Sequence, residues 1–444
     1  MSDELIVSFL FPPSGSVSGI TVSKRIIENA RKVDVLQAKF TDDSNSELNK
    51  YVEQYIDDRI IIDTDCDSDW TECIFEFVEL GIKAIKKDYG KIYSRSWLMS
   101  NHFLAFEYKL NHPSAIWSAE FSDPLIYDLS NQPKGYKQML VDDEKYINKI
   151  NSKINAFNQS NDAAFPLVEN NSSAYFIAEY LVYLFADRVI FTNENQREIM
   201  LGQFPVDVYG LVLAKSEIKR HPTLESKYYH IKEANLNLND EAINVAYFGS
   251  DYYGKRHFEA LFYALEALNH KHKDKIRLHL YINDKKLIKS LISTLSVRDN
   301  IVVRKPLDYL SFLNATTKFD VLIVNDVITR GNFKVNPYLP SKLSDYLGSS
   351  RDIWALCEAG STLSEADVRY KSDIHDFGSC GEALVQILND NGLADEDYSF
   401  DEYFNRRLTS LNELYEREFR KNLKLEKELK DLKREKSRKR FKIF

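Results

Sequence analysis

Two stretches of this sequence place cations where a turn gives way to a helix. Lys255 and Arg256 close the loop GSDYYGKR, directly after its second glycine. Ser341 and Lys342 open the helical pattern of PSKLSDYL, behind a loop with prolines at 337 and 340. A helix N-terminus presents free backbone N–H groups and a positive dipole end, so a phosphate suits this position. Ser341 is the expected N-cap, and Asp345 falls one turn further along. Asp123, in Ser122-Asp123-Pro124 after the apolar run AIWSAEF, is a carboxylate at a strand end. Such a group orients or deprotonates a hydroxyl that comes within hydrogen-bond reach. Ser14, Gly15 and Gly19 lie in PPSGSVSG, where small residues let the backbone approach a ligand.

Other reactive types are present without a pattern that assigns them chemistry. The run DTDCDSD at 63–69 repeats D-x-D, a pairing that can hold a divalent cation, but its polar surroundings make it a solvated acidic loop. His102, His112 and His221 have no nameable partner and are expected to be structural or exposed. Cys66, Cys73, Cys357 and Cys380 are widely spread, with no C-x-x-C pair, which points away from zinc and toward a reduced, cytosolic setting. No metal is expected. The net charge of −8, from 59 basic and 67 acidic residues, gives no reason to expect nucleic acid. The N-terminal apolar run is too short for a signal peptide or a membrane span, and no later stretch approaches about 18 apolar residues.

The elements that must position these residues follow an α/β grammar, told twice. At 444 residues, 44% apolar and 28% charged, the chain is long enough for two full cores. The run LIVSFLF reads as a buried strand, followed by the glycine loop and a helix starting near Ser23. Further strands are expected at 33–40, 59–62, 91–97 and 115–121, with helices between them. After a polar, irregular stretch the pattern restarts with a strand at 243–248, the GSDYYGKR loop and a helix at 258–268. DVLIV at 320–324 and DIWALC at 352–357 are later strands of this half. The expected organisation is an N-terminal Rossmann-like domain at 1–210, a linker at 211–242, a second Rossmann-like domain at 243–400 and a helical, basic extension at 401–444. Two doubly wound parallel sheets facing a cleft result.

Four stretches, FPPSGSVSG, ADRVIFTNENQ, VAYFGSDYYGKR and LPSKLSDYL, occur in the order found in GT-B-fold glycosyltransferases. Jointly they resemble the retaining nucleotide-sugar enzymes of glycosyltransferase family 4, from bacterial surface-polysaccharide pathways. The resemblance implies a donor nucleotide on the second domain, an acceptor on the first, and no metal or other cofactor. It makes Lys255 the diphosphate-binding and catalytic lysine. The arginine usual five residues earlier is replaced by Ser250, so Arg256 is expected to substitute. With Ser341 and Lys342 beside the diphosphate and Asp345 on the ribose, this completes the donor-binding set. Pro337 stands where the family has a glutamate that contacts the transferred sugar. Asp123 stands in place of a histidine, facing the acceptor and sharing the catalytic role, with Ser14, Gly15 and Gly19 forming the acceptor-side loop. The expected partners are a nucleotide-sugar and a glycan or lipid-linked saccharide. A catalytically inactive partner subunit and a sugar-nucleotide epimerase are the alternative functions on the same fold.

The C-terminal extension carries leucines at 411, 414, 425, 429 and 432, interrupted by Glu418 and Lys421, a weak seam for an oligomer. Lys433–Phe444 then holds seven basic residues, one acidic residue and three bulky apolar ones. An anionic membrane face would attract such a segment. The expected location is cytoplasmic, at the inner face of the membrane.

Overall fold

The computed structural model describes residues 2–40, 46–64, 70–134, 137–249, 256–268, 270–283, 285–293, 295–394 and 402–441. The first sheet contains β1 (Glu4–Val7), β2 (Val33–Ala38), β3 (Ile56–Ile62), β4 (Lys91–Ser96), β5 (Ile116–Phe121), β6 (Arg188–Phe191) and β7 (Ser216–Ile218). Their order is β3-β2-β1-β4-β5-β6-β7. The second contains β8 (Ile243–Phe248), β9 (Ile276–Tyr281), β10 (Ile301–Arg304), β11 (Val321–Asn325), β12 (Asp352–Cys357) and β13 (Tyr370–Asp373), in the order β10-β9-β8-β11-β12-β13. Every pairing of these strands is parallel. Strand order reverses between β1 and β4 and again between β8 and β11. Each reversal opens a crevice outside the carboxyl ends of the strands.

The central strands read as unbroken apolar runs because both of their faces are covered. Leu5 and Val7 enter the outer core of the first domain while Ile6 enters a middle core. In β11, Val321 and Ile323 join the outer core of the second domain, and Leu322 and Val324 join the middle one. That middle core is shared: Val22, Ile26 and Val35 of the first domain lie in one cluster with Phe248, Phe312 and Tyr346 of the second. The two domains are therefore closed on each other through apolar surface.

Three segments differ from their sequence-based expectation. The first helix spans Val17–Asn29 and starts well before Ser23, because Thr21 and Ser23 hydroxyls donate to the Val17 and Gly19 carbonyls one turn back. Polar residues thus sit in the helix without breaking it. Gly19 is accordingly inside a helix and not in a loop. A Cβ there would stand 2.5 Å from the Leu10 carbonyl oxygen, so close packing demands glycine.

The stretch expected to be linker from 211 opens with the end of helix Val206–Lys215 and with β7, an edge strand of the first sheet. The connection that follows is also less solvent-exposed than its polar composition suggests, since Leu224, Tyr228, Tyr229 and Ala234 are buried in the middle core. Finally, Cys73 is disulfide-bonded, contrary to the expectation of reduced cysteines, while Cys357 and Cys380 are free and buried.

The extension is one helix, Glu402–Phe441. Tyr415 and Phe419 anchor it, with Tyr415 6.3 Å from the Tyr263 ring and Phe419 4.8 Å from His375. From Arg420 to Asp431 every side chain is exposed. The part beyond the anchor is about 30 Å long at 1.5 Å per residue. Among the described residues, no helix is long and apolar enough to cross a membrane.

Glu179, in helix Ala174–Phe185, is a buried carboxyl that accepts from the Tyr183 hydroxyl at 2.8 Å. Burial pushes its pKa up to about 8, with Tyr183 and the Leu125 and Ile126 amides only partly offsetting it. A carboxyl raised on folding keeps its proton in the native chain and loses it in the unfolded one. Stability should therefore fall as pH rises from about 4.5 to 8. Glu179→Gln should remove that slope, which melting temperatures measured between pH 5 and 9 would reveal.

Candidate functional site

The first wall of the cleft is organised by a charge that an apolar strand would not be expected to carry. Glu120 of β5 is fully buried and accepts from Arg25 Nε at 3.1 Å, Arg95 Nε at 3.0 Å and the Tyr93 hydroxyl at 2.9 Å. Burial alone would raise its pKa, but Arg25 and Arg95 outweigh it and hold the carboxyl at about 2. Arg25 also donates to the Lys219 and Arg220 carbonyls, pinning the interdomain connection to the strand end. His221 follows in the chain, and burial, then Arg95, pushes its pKa down to about 3, so it is neutral at ordinary pH. Arg95 reaches on to the Ser18 hydroxyl at 3.1 Å in the first turn of the first helix.

Asp123 lies just beyond β5, half-buried. Burial raises its carboxyl above the ordinary range, opposed by the charges of Arg95, Lys134 and Arg256. Arg256 belongs to the second domain, so its charge acts on Asp123 from across the cleft. Arg256 donates to the Tyr247 hydroxyl at 3.4 Å, and its charge also reaches Asp326, Lys342 and Tyr346. Asp326, at the end of β11, is pushed up to about 7, chiefly by burial. Its Oδ1 is buried without a hydrogen-bond partner, as are both side-chain polar atoms of Asn325 beside it. The Lys342 ammonium sits 3.8 Å above the Phe312 ring, and its pKa is lowered by burial.

Of the residues singled out in the sequence, Arg256, Lys342 and Asp123 come together here. Ser250 and Lys255 fall outside the described residues, as do positions 65–69 of the acidic run; its Asp63 pairs with Lys39 at 3.0 Å. Ser14 is buried and its amide donates to the Phe11 carbonyl, while Gly15 is exposed at the loop tip. Ser341 does not cap by its side chain, because its own φ and ψ of −61° and −25° are already helical. The helix behind it, Lys342–Leu347, has only six residues.

Asp345 is the largest departure. Its Oδ1 accepts from Lys24 at 2.9 Å and from the Tyr309 hydroxyl at 2.7 Å, and its Oδ2 lies 3.9 Å from Lys342. Burial opposes ionisation, but Lys24 and Lys342 keep the carboxyl low. Lys24 comes from the first domain and also donates to Ser344. In this closed arrangement the aspartate is one half of a buried interdomain ion pair, and a ribose would have to displace Lys24 to reach it. A double-mutant cycle with Lys24→Met and Asp345→Asn should give a coupling energy of about 1–3 kcal/mol in thermal or denaturant unfolding.

Glu358, directly after β12, is a saturated acceptor. It takes the Thr329 and Arg330 amides, the Thr329 hydroxyl and the Asn336 amide group. It thereby shapes the loop between β11 and helix Lys342–Leu347. Across the cleft, Asn193 donates to the Pro337 carbonyl at 3.1 Å, and Asn195 donates to the Asn336 and Gly360 carbonyls. The TNEN sequence is thus a clasp between domains. Among the described residues, no group of three His, Cys, Asp or Glu could hold a metal ion.

Lys24, Arg25, Arg95 and Glu120 were not anticipated as a cluster. The available signal was a charge inside an apolar strand or on the inward side of a helix, since a buried charge must be paired.

The chain matches no protein-family profile and no curated protein. It does resemble solved structures. A sucrose-phosphate synthase (tll1590) from Thermosynechococcus elongatus superposes with a TM-score of 0.54 at 14% identity, over 95% of this chain and 99% of that one. Anabaena Alr3699/HepE in complex with UDP-glucose gives 0.54 at 10% identity, over 94% and 99%. A trehalose-6-phosphate protein from E. coli bound with UDP-2-fluoro glucose gives 0.53 at 10% identity, over 93% and 95%. At these identities the likeness establishes architecture: two doubly wound domains with a C-terminal helix, the GT-B fold.

Proposed function

We propose that this protein is a nucleotide-sugar-dependent glycosyltransferase of the GT-B type. It transfers a hexose to a glycan or lipid-linked saccharide, with retention at the anomeric carbon, in bacterial surface-polysaccharide assembly at the cytoplasmic face of the membrane. The observation that carries this reading is the position of Arg256, whose charge reaches Lys342 and Asp326 on its own domain and Asp123 across the cleft. A guanidinium and an ammonium at strand ends and a helix start match a diphosphate leaving group, whose developing charge they would stabilise. Asp123 is the acceptor-side carboxylate, suited to accept a hydroxyl proton. Two of the fold relatives are described as complexes with a UDP-sugar, which makes UDP the first nucleotide to try. Lys255 and Ser250 complete the donor set on resemblance, and no metal enters the scheme.

Slow hydrolysis of UDP-glucose without acceptor tests both activity and stereochemistry. Proton NMR should show α-glucose appearing first. β-Glucose appearing first would replace retention with inversion, and no release above the uncatalysed rate would remove the enzyme reading. One observation favours a second function, a non-catalytic partner subunit: Asp345 is occupied by Lys24 and Tyr309, and Pro337 stands where a sugar-contacting glutamate is expected. The basic end of the chain is assigned to an anionic membrane surface. Flotation with phosphatidylglycerol vesicles should be lost at high salt or on deletion of 433–444.

A further inference from the structure

We propose that Trp97 and Asp123 form the acceptor subsite and seat one pyranose ring of a saccharide, the indole against the ring's C–H face and the carboxylate on a hydroxyl at its edge. The inference rests on the glycosyltransferase reading and names the chemistry of its acceptor side.

Trp97 is the first residue after β4, the strand beside β1 where the strand order of the first sheet reverses. It is 49% exposed. By contrast Trp117 and Trp354 are fully buried, with their indole N–H groups bonded to Ser94 and Ser372 hydroxyls at 2.8 Å. Leaving so large an apolar side chain in water costs burial energy, and a switch-point crevice is where a ligand would recover it.

The loop carrying Trp97 is held on three sides. The Asn101 side chain bridges the Phe9 amide and the Arg95 carbonyl, both at 2.8 Å, which ties the loop after β4 to the loop after β1. The Ser122 amide donates to the Ser96 hydroxyl at 3.2 Å, and the Ser122 hydroxyl donates to the Ser96 carbonyl, which ties it to the loop after β5. The next three residues, Leu98, Met99 and Ser100, are buried. An exposed aromatic on cross-linked loops is preorganised for stacking and loses little freedom on binding. Asp123 sits one residue beyond Ser122, so the carboxylate and the indole are on adjacent, hydrogen-bonded loops. One apolar platform beside one carboxylate complements a sugar, which has an apolar face and a rim of hydroxyls.

The test uses the full-length protein. Trp70 is the other half-exposed tryptophan, so Trp70→Phe leaves Trp97 as the exposed fluorophore. Methyl α- and β-hexopyranosides are titrated into this protein with and without UDP, and UDP binding is measured separately by calorimetry. A saturable change in tryptophan emission with at least one glycoside is expected. It should weaken at least fivefold in Asp123→Asn and disappear in Trp97→Phe, and UDP affinity should stay within twofold in Trp97→Phe. No response to any glycoside from a folded protein that binds UDP overturns the subsite and leaves the donor reading standing. A glycoside response without UDP binding keeps the subsite and sinks the transferase reading. Loss of both responses overturns both.

Discussion

Replacing Arg256 with alanine should lower the rate of UDP release from UDP-glucose by about 10²–10³-fold, the usual effect of removing one preorganised charge from a leaving group. Arg256 is a cation of the second domain whose charge reaches Asp123 on the first, and it also acts on Lys342 and Asp326. Arg256→Lys should recover only part of the rate, because an ammonium cannot present the two parallel donors of a guanidinium. The melting temperature of the variant is measured alongside its rate. Rate and melting curve together separate the two roles. A variant that melts early with an unimpaired rate per folded molecule would make Arg256 structural.

Glu120→Ala should produce the largest loss of stability, about 4–5 kcal/mol in denaturant unfolding. Removing the carboxylate strands two buried guanidinium groups, and breaking a buried ion pair from one side typically costs 3–5 kcal/mol. Here two pairs and the Tyr93 hydrogen bond go at once. The same group fixes a pH dependence. Its folded pKa of about 2 lies below the ordinary 4.5, so its contribution is present above about pH 5 and is lost as pH falls through 2. Wild-type stability should thus drop in acid, and Glu120→Ala should show a shallower drop. Equal acid slopes in the two proteins would contradict the assignment.

How far the sequence reveals this molecule depends on the range of the interaction. Strand alternation is a local pattern, so DVLIV and DIWALC identify β11 and β12 within a residue or two. The helix at Lys342–Leu347 was equally legible, since its apolar spacing lies within six residues. The first helix was misplaced at its start because Thr21 and Ser23 satisfy their hydroxyls on the helix itself, which composition does not reveal. Lys24 with Asp345 was invisible: the partners lie 321 residues apart, and only domain closure brings them together. The interdomain connection reads as a polar, irregular linker, yet Tyr228 and Tyr229 bury their rings in the shared core. Its close fit explains a glycine too. A Cβ on Gly348 would meet the Tyr229 hydroxyl at 2.0 Å.

Closure also bears on function. The domains meet through the Lys24–Asp345 pair, the Asn193 and Asn195 clasp, and the Asn131 and Asn332 side chains, each of which donates to a carbonyl across the cleft. The Lys24–Asp345 pair and the Asn193 contact are buried, whereas the Asn131 contact to the Asn332 carbonyl is exposed. If a nucleotide enters beside Arg256, its ribose competes with Lys24 for Asp345. Donor affinity and closure would then be linked, because binding must exceed the cost of breaking that pair.

In the proposed mechanism the second domain holds a nucleoside diphosphate beside Arg256. Calorimetric titration of the full-length protein with UDP, GDP and ADP, without added metal, tests it most directly when repeated on Arg256→Ala. Saturable binding of one nucleotide, weakened at least tenfold in the variant, is the predicted result. A folded protein that binds none of the three, or binds one equally well without Arg256, would contradict it.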